Sequence, residues 1–330
     1  MRLGELSRIA AKRRLDEVVV IDEANLRALT GINCDNAILT QSAFYTDFRY
    51  AAAVRRQEPE LKVRDIKRFA LSGRRIGFES SLSKSRFDRL VKLAPRGAKF
   101  VDIAEDLARL RSVKTADEIA ALKAAQKLNR EIFNLATRQF RARMTEREMA
   151  RIIRKLMIER GDGEAFSTIV CVGKNAAECH HEPDDTVWNG SDGVLIDMGV
   201  KLNGYCSDLT RCLNPRRRSA AYRRVEALVT EAHDAALAAA KPGMTAAALD
   251  RVAREIIRKG GFGKAFGHSL GHGVGLEIHE APTISKKSRQ FKLKPGMIFT
   301  IEPGVYLEGN LGYRYEDMVL LTEHGAEVLE

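Results

Sequence analysis

The stretch Val194-Leu195-Ile196-Asp197-Met198-Gly199-Val200-Lys201-Leu202-Asn203-Gly204-Tyr205-Cys206-Ser207-Asp208-Leu209-Thr210-Arg211 reads as two β-strands around a tight Asn-Gly turn. In an antiparallel hairpin opposed residues share a face, and so do residues two apart on one strand. With Asn203-Gly204 as the loop, Asp197 opposes Thr210, whose face also carries Asp208. With Leu202-Asn203 as the loop, Asp197 opposes Asp208 directly. Either register sets two carboxylates side by side, where they repel and resist ionising together unless a cation neutralises them. The apolar flank Val194-Leu195-Ile196 argues against simple exposure.

Working outward, Thr115 with Glu118 and Thr145 with Glu148 form capping-box signatures ahead of helical apolar patterns between about 116 and 160. Residues 220–240 and 245–259 predict two more helices, the second capped by Thr245. Strands are predicted over 167–173, 193–200, 205–213, 297–302 and 313–321. Two helix-rich stretches, each followed by strand hairpins, predict an α+β catalytic fold built from a duplicated unit, without a residue-level repeat. The first hundred residues predict a smaller α/β domain ending near residue 110. Its signals are a strand at Val18–Ile21, a helix capped by Asp22 and stopped by Gly31, a hairpin of 37–40 with 43–46, and a strand at Arg75–Glu79. The domain division is therefore 1–110 and 111–330.

The chain has 330 residues, is 45% hydrophobic and 30% charged, and is long enough for two domains with cores of their own. No apolar run reaches the roughly 18–20 residues that span a bilayer. The segment MRLGELSRIAAKRRLDE is basic and amphipathic and lacks the apolar core of a secretion signal, so it reads as a first surface helix rather than an organelle address. Five cysteines, an odd set in a long chain, point to reduced thiols and a cytoplasmic setting. The formal charge of +11 is unevenly spread, with +14 in residues 1–160 and −3 in residues 161–330, while all seven histidines lie in the second half.

Glu302 closes the apolar strand Met297–Ile301 and needs a strong partner if buried. In Tyr313-Arg314-Tyr315-Glu316-Asp317, strand alternation puts Arg314 and Glu316 on one side, which taken alone describes an ion pair near a sheet edge. The densest segment is Gly267-His268-Ser269-Leu270-Gly271-His272-Gly273-Val274-Gly275-Leu276-Glu277-Ile278-His279-Glu280, with three histidines in twelve positions. Its glycines argue against a regular helix and permit close backbone approach to a ligand. His279-Glu280 lacks the later histidine of H-E-x-x-H, and no phosphate-binding loop, dinucleotide fingerprint or G-x-S-x-G elbow occurs. The cysteine spacing does not fit a zinc ribbon. Carboxylate oxygens with imidazole suit Mn²⁺, Co²⁺, Fe²⁺ or Zn²⁺.

The contexts IDMG at Asp197, SDLTR at Asp208, GHGVG at His272, IEPG at Glu302 and YED at Glu316 resemble the pita-bread metallopeptidases, which include methionine aminopeptidase, aminopeptidase P and prolidase. The segments NLRALTG at 25–31, TDFRY at 46–50 and LRSVK at 110–114 resemble the proline-specific branch. The resemblance covers nearly the whole chain. It implies a pita-bread (creatinase/aminopeptidase) catalytic domain preceded by a creatinase-like N-terminal domain that limits access and contributes to dimerisation. It implies two divalent metal ions, Mn²⁺ first with Co²⁺, Zn²⁺ or Fe²⁺ as alternatives, held by Asp197, Asp208, His272, Glu302 and Glu316. Glu302 is then the proton-transfer residue, His279 contacts substrate and oxyanion, and His180 and His268 face the substrate. Arg314 is a substrate-side residue that orients the site rather than reacting.

The implied activity is hydrolysis of Xaa-Pro bonds in proline-containing peptides by a homodimer without membrane or nucleic-acid partners. The alternatives are a catalytically silent relative that binds nucleic acid or protein through the basic N-terminal half, and a metal-independent hydrolase like creatinase. Filled ligand positions argue against both. Cys179 and Cys212 stand where Pro and Thr are common. Thr283 stands where some prolidases carry an arginine for a dipeptide's carboxylate, and Lys286, Lys287 or Arg289 are candidate substitutes. Aminopeptidase P is the favoured reading of the two.

Overall fold

Local capping chemistry sets most helix boundaries. A computed structural model describes residues 2–330, which separate into two compact units, residues 2–111 and 112–330. The N-terminal unit runs α1 (Leu3–Arg13), β1 (Glu17–Val18), α2 (Glu23–Thr30), β2 (Ala37–Leu39), β3 (Phe44–Thr46), α3 (Phe48–Gln57), β4 (Val63–Asp65), β5 (Arg75–Phe78), α4 (Lys84–Leu93), β6 (Lys99–Asp102) and α5 (Ala104–Ser112). Asp22 caps α2 by accepting from Asn25 N, and Gly31 ends it in the left-handed conformation. Strands β1, β5 and β6 pair in parallel, and β2 and β3 form the expected hairpin. The expected strand at Val18–Ile21 is shorter, with only Glu17–Val18 regular and Val20 bridging singly to Leu39.

In the second unit, α6 (Ala116–Thr137) and α7 (Glu146–Arg160) each begin with a complete capping box, at Thr115/Glu118 and Thr145/Glu148. They are followed by β7 (Gly163–Glu164), β8 (Ile169–Val172), β9 (Val194–Met198), β10 (Val200–Leu202), β11 (Tyr205–Cys206) and β12 (Leu209–Leu213). A second helix pair, α8 (Ala220–Ala239) and α9 (Ala246–Lys259), leads into β13 (Gly271–Gly273), β14 (Glu280–Ile284), β15 (Ile298–Ile301), β16 (Gly304–Leu307), β17 (Leu311–Arg314), β18 (Asp317–Leu321) and β19 (Ala326–Val328). The helix-pair-then-strands order thus occurs twice. Apolar faces of α8 and α9 bury against β15 and β18 through Val225, Val229, Leu249, Ala253, Phe299 and Val319. Those of α6 and α7 bury against β8 and β9 through Ile132, Ile153, Val170 and Ile196.

The central hairpin takes the Asn203-Gly204 register, with Thr210 opposite Asp197 and Leu202 opposite Tyr205. Asn203 and Gly204 both have positive φ, as a two-residue hairpin turn requires. Both strands break midway without losing register. At the break Ser207 Oγ donates to Val200 O and accepts from Val200 N, taking ladder bonds onto a side chain. A Cβ on Gly199 would lie 2.2 Å from Ser207 O, so only glycine fits the approach there. The expected strand over 313–321 is also two strands. Arg314 pairs with Gly304 in the β16–β17 hairpin, whereas Asp317 pairs with Ile301 in the five-stranded sheet. Tyr315 and Glu316 make the step between sheets, held by Arg211, which donates to Glu316 O and Asp317 Oδ1 and stacks on the Tyr315 ring at 4.2 Å.

Candidate metal centre

Five segments of the catalytic unit deliver a polar side chain to one place. Asp197 comes from β9, Asp208 from the break before β12, His272 from β13, Glu302 from the end of β15, and Glu316 from the step between β17 and β18. All five line a cavity of about 590 Å³, and His180, His268, His279 and Arg314 line the same cavity. One ligand atom each from Asp208, His272 and Glu316 lies within 4.8 Å of the others. His272 Nε2 is 3.6 Å from Asp208 Oδ2 and 3.4 Å from Glu302 Oε1.

Each group is oriented from behind. The Gln126 side chain on α6 donates to Asp208 O (2.8 Å) and accepts from Asp208 N (3.2 Å), fixing the backbone at the break. Thr210 Oγ1 donates to Glu316 Oε2 (2.6 Å) and accepts from Arg314 Nε (3.0 Å). Thr300 Oγ1 donates to Glu302 Oε1 (3.1 Å) and accepts from His272 N (3.0 Å). The His272 ring bonds the Gly273 carbonyl through Nδ1 (3.1 Å). A carbonyl can only accept, so the proton sits on Nδ1 and the Nε2 lone pair faces the carboxylates.

Arg314 is buried and pairs with Asp197 Oδ2 (2.6 Å) rather than with Glu316, so the ordinary edge ion pair suggested by strand alternation is not formed. The same guanidinium donates to Tyr306 Oη (2.7 Å) and Cys179 O (3.3 Å). His268 Nδ1 donates to Ser269 O (2.7 Å), leaving Nε2 to accept from Tyr306 Oη (3.0 Å). Burial, then the charge of Arg314, lowers the His268 pKa to about 4, so the ring is neutral.

The glycines around His272 serve the fold. A Cβ on Gly271 would lie 1.9 Å from Thr300 O, and one on Gly273 would lie 2.2 Å from Ala281 O. The close approach expected toward a ligand is therefore an approach of neighbouring strands.

The cluster carries more negative charge than the protein compensates. Desolvation, then Glu316, Asp197 and Glu302, raises the Asp208 carboxyl well above its ordinary range. Desolvation with Glu302 and Asp197 does the same to Glu316. Glu302 is pushed to about 8, chiefly by burial, with Arg314 opposing. Burial lowers His272 and His279, so both rings are neutral at pH 7. Asp197 Oδ1 is buried and has no hydrogen-bond partner. Four carboxylates, one of them with an orphaned oxygen, and one oriented imidazole lone pair form a donor set that fits divalent cations of the Mn²⁺–Zn²⁺ class. With Arg314 counted, the ionised set bears three negative charges, so one dication leaves it negative and two leave it slightly positive.

Sequence reasoning missed Tyr306 and Gln126. The β16–β17 register (Gly304 with Arg314, Tyr306 with Gly312) brings Tyr306 beside Arg314, and Gly309 in the turn was the available signal. Gln126 carries no local signal, because its partner is 82 residues away. Thr283 lines the cavity, whereas Lys286, Lys287 and Arg289 are exposed and are not among its lining residues.

Residues 120–323 match the model of metallopeptidase family M24, and residues 2–113 match the creatinase/prolidase N-terminal domain. A protein of Pyrococcus furiosus called Xaa-Pro dipeptidase is 34% identical, with 99% of this chain and 97% of that protein covered. The structure of the X-Pro aminopeptidase from Thermotoga maritima superposes with a TM-score of 0.86 at 33% identity, covering 98% of this chain and 97% of that one. The Xaa-Pro dipeptidase from Bacillus anthracis gives a TM-score of 0.93 at 28% identity, covering 99% and 96%. With the family model spanning well over half the chain, the protein belongs to metallopeptidase family M24, with a creatinase N-terminal domain and a pita-bread catalytic domain.

Proposed function

We propose that the chain is a dinuclear-metal exopeptidase that cleaves the Xaa-Pro bond at the N-terminus of peptides or in dipeptides. The observation that carries this reading is the convergence of Asp197, Asp208, His272, Glu302 and Glu316, with uncompensated charge, beside four further cavity histidines. Those five residues are the proposed ligands, and Mn²⁺ is the proposed metal. When bound, the metals supply Lewis acidity and a water of lowered pKa.

The chain's own groups do the rest. Glu302, ionised once a metal is bound, accepts and returns a proton at its Oε atoms. Neutral His279, whose ring centroid is 4.3 Å from that of His272, offers an N–H to the developing oxyanion. His180 and His268 are proposed to contact the substrate, and Arg314 to position Asp197. A prolyl bond has no N–H to donate, so selection falls to the shape of the cavity wall, where Phe166, Ile169 and Ile278 supply apolar surface.

Among the described residues lining the cavity, Arg314 is the one guanidinium or ammonium group, and it is bound to Asp197. A dipeptide's carboxylate would meet no available permanent cation there, which favours peptides extending past proline, the aminopeptidase P type. The N-terminal unit is proposed to restrict access and to contribute to a homodimer; Phe48, 88% exposed, is an apolar point on its surface. Five free cysteines support a cytoplasmic setting, and no described helix is long and apolar enough to cross a membrane.

The test is an assay of Xaa-Pro dipeptides against Xaa-Pro-Yaa tripeptides after chelation and reloading with Mn²⁺, Co²⁺ or Zn²⁺. Cleavage of neither peptide with any metal refutes the peptidase reading. Asp208→Asn should abolish activity and metal loading together, and retention of both would refute the ligand assignment.

A further inference from the structure

His180 stands on a segment with no regular secondary structure, between the 3-10 turn Gly173–Ala177 and the bridge of Val187 to Thr145. That segment supplies a whole wall of the cavity: Cys179, His180, His181, Glu182 and Pro183. Within it, His181 N donates to Glu178 O (3.2 Å), and Arg314 Nη1 reaches Cys179 O (3.3 Å). The side-chain anchor is the His181 ring. Its Nε2 lies 2.7 Å from Glu146 Oε2 and its Nδ1 2.9 Å from Glu178 Oε2.

Glu146 is fully buried at the first position of α7. Its Oε1 accepts from Val172 N (2.6 Å) and Asn175 Nδ2 (3.0 Å), and its Oε2 accepts from His181 and from Asp184 N (3.1 Å). A carboxylate offers about four lone-pair positions, and here all are filled by N–H donors. Glu146, His181 and Asp184 thus have the composition of a metal site, but protons already occupy the positions a cation would need. Both ring nitrogens of His181 face carboxylates and so must both donate, which makes the ring an imidazolium. Burial opposes that charge, but the bonds to Glu178 and Glu146 outweigh it and raise the His181 pKa.

We propose that His181 is a positioning residue for substrate binding: its doubly anchored ring clamps the 178–186 segment to the first turn of α7 and so fixes where His180 stands in the cavity. The neutral amide of glutamine can replace neither the charge nor both bonds. Glu178 is the weaker anchor because its side chain is 71% exposed, and Glu146 is the stronger because it ties three separate segments to one helix end. The substrate role rests on the peptidase reading above, whereas the clamp is local and can be read without turnover.

The experiment compares wild type, His181→Gln and Glu178→Gln as full-length, metal-loaded proteins, using Ala-Pro-Ala as the peptide. His181→Gln should raise KM roughly tenfold with kcat within about threefold, because misplacing one contact group weakens binding more than chemistry. Glu178→Gln should move KM the same way by less. Metal content should equal that of wild type. Amide hydrogen exchange should speed up in 178–186 and not in the interior of α7. Unchanged KM overturns the proposal, and so does unchanged exchange, or a joint fall of kcat and metal content that marks a general structural defect. If wild type cleaves no Xaa-Pro peptide, the peptidase reading fails alone, and the exchange comparison still decides the clamp.

Discussion

Replacing Thr210 by Val removes one hydroxyl and little else, and the structure says what that hydroxyl holds. Thr210 is fully buried on β12, opposite Asp197. Its Oγ1 accepts from Arg314 Nε at 3.0 Å, so its own proton must go to Glu316 Oε2 at 2.6 Å. Valine keeps the branched shape, leaves a guanidinium N–H without its acceptor, and leaves a buried carboxyl without its donor. A hydrogen bond to a charged group contributes about 1.5–3 kcal/mol. The two bonds share one oxygen and are not additive, which sets the expected loss at about 3 kcal/mol rather than their full sum.

Urea unfolding of the metal-free protein, followed through the transition of the catalytic unit, reads that loss directly. Removal of a group that orients a metal ligand lowers affinity or activity by about 10–100-fold, so kcat/KM and metal affinity should fall in that range. Thr210→Ser keeps the hydroxyl and should recover most of both quantities. A valine variant within about 1 kcal/mol of wild type, with normal metal affinity, would show that Thr210 does not couple Arg314 to Glu316.

Three other perturbations follow from the same geometry. Gly271→Ala places a Cβ 1.9 Å from Thr300 O, so β13 and β15 must separate at the His272 position. Overpacking of this kind costs about 1–3 kcal/mol, and a thermal unfolding midpoint equal to wild type would contradict the strand contact. Because Glu302 titrates near 8, the metal-free native state binds a proton that the unfolded chain releases near its ordinary pKa of 4.5. Stability of the chelated protein should therefore fall as pH rises from about 4.5 to 8, while the metal-loaded protein should lack this slope. Metal binding at pH 7 should release close to one proton from Glu302, read as a dependence of binding heat on buffer ionisation enthalpy; no such dependence would refute the raised carboxyl. Thr283→Arg adds a cation to the cavity wall and should improve kcat/KM for Xaa-Pro dipeptides relative to tripeptides by about tenfold, the low end for a hydrogen bond to a charged group. No shift in that ratio would separate Thr283 from dipeptide recognition.

What the sequence made legible was local. The Asn203-Gly204 turn, the Thr115/Glu118 and Thr145/Glu148 boxes and the Asp22 and Thr245 caps each encode their structure within four residues, and each formed. The nine polar residues singled out all line one cavity, from strands, strand ends and irregular segments alike. What escaped was set by distant partners. The step at Tyr315–Glu316 exists because β17 and β18 pair into different sheets, and apolar alternation runs through it undisturbed. Gln126 and the Glu146–His181 pair depend on contacts across 82 and 35 residues, for which no periodicity gives a sign.

The distribution of charge can now be weighed against the fold. Residues 1–111 hold 23 Lys+Arg and 15 Asp+Glu, whereas residues 112–330 hold 32 and 29, so the catalytic unit is close to neutral. Much of the basic excess of the first half therefore belongs to α6, α7 and their flanks: residues 112–160 carry 12 Lys+Arg against 6 Asp+Glu. On α7, four of the five basic residues already face a carboxylate, in the pairs Arg147–Asp185, Arg154–Glu164, Lys155–Glu159 and Arg160–Glu131. A phosphate-tracking surface works by exchanging cations bound to nucleic acid for protein side chains, and side chains paired to their own acids contribute little to that exchange. Exposed pairs of this kind contribute little stability either, since the median is about 0–1 kcal/mol. The α7 pattern is that of a solvated outer helix, in contrast to the cavity carboxylates, which burial keeps from being screened.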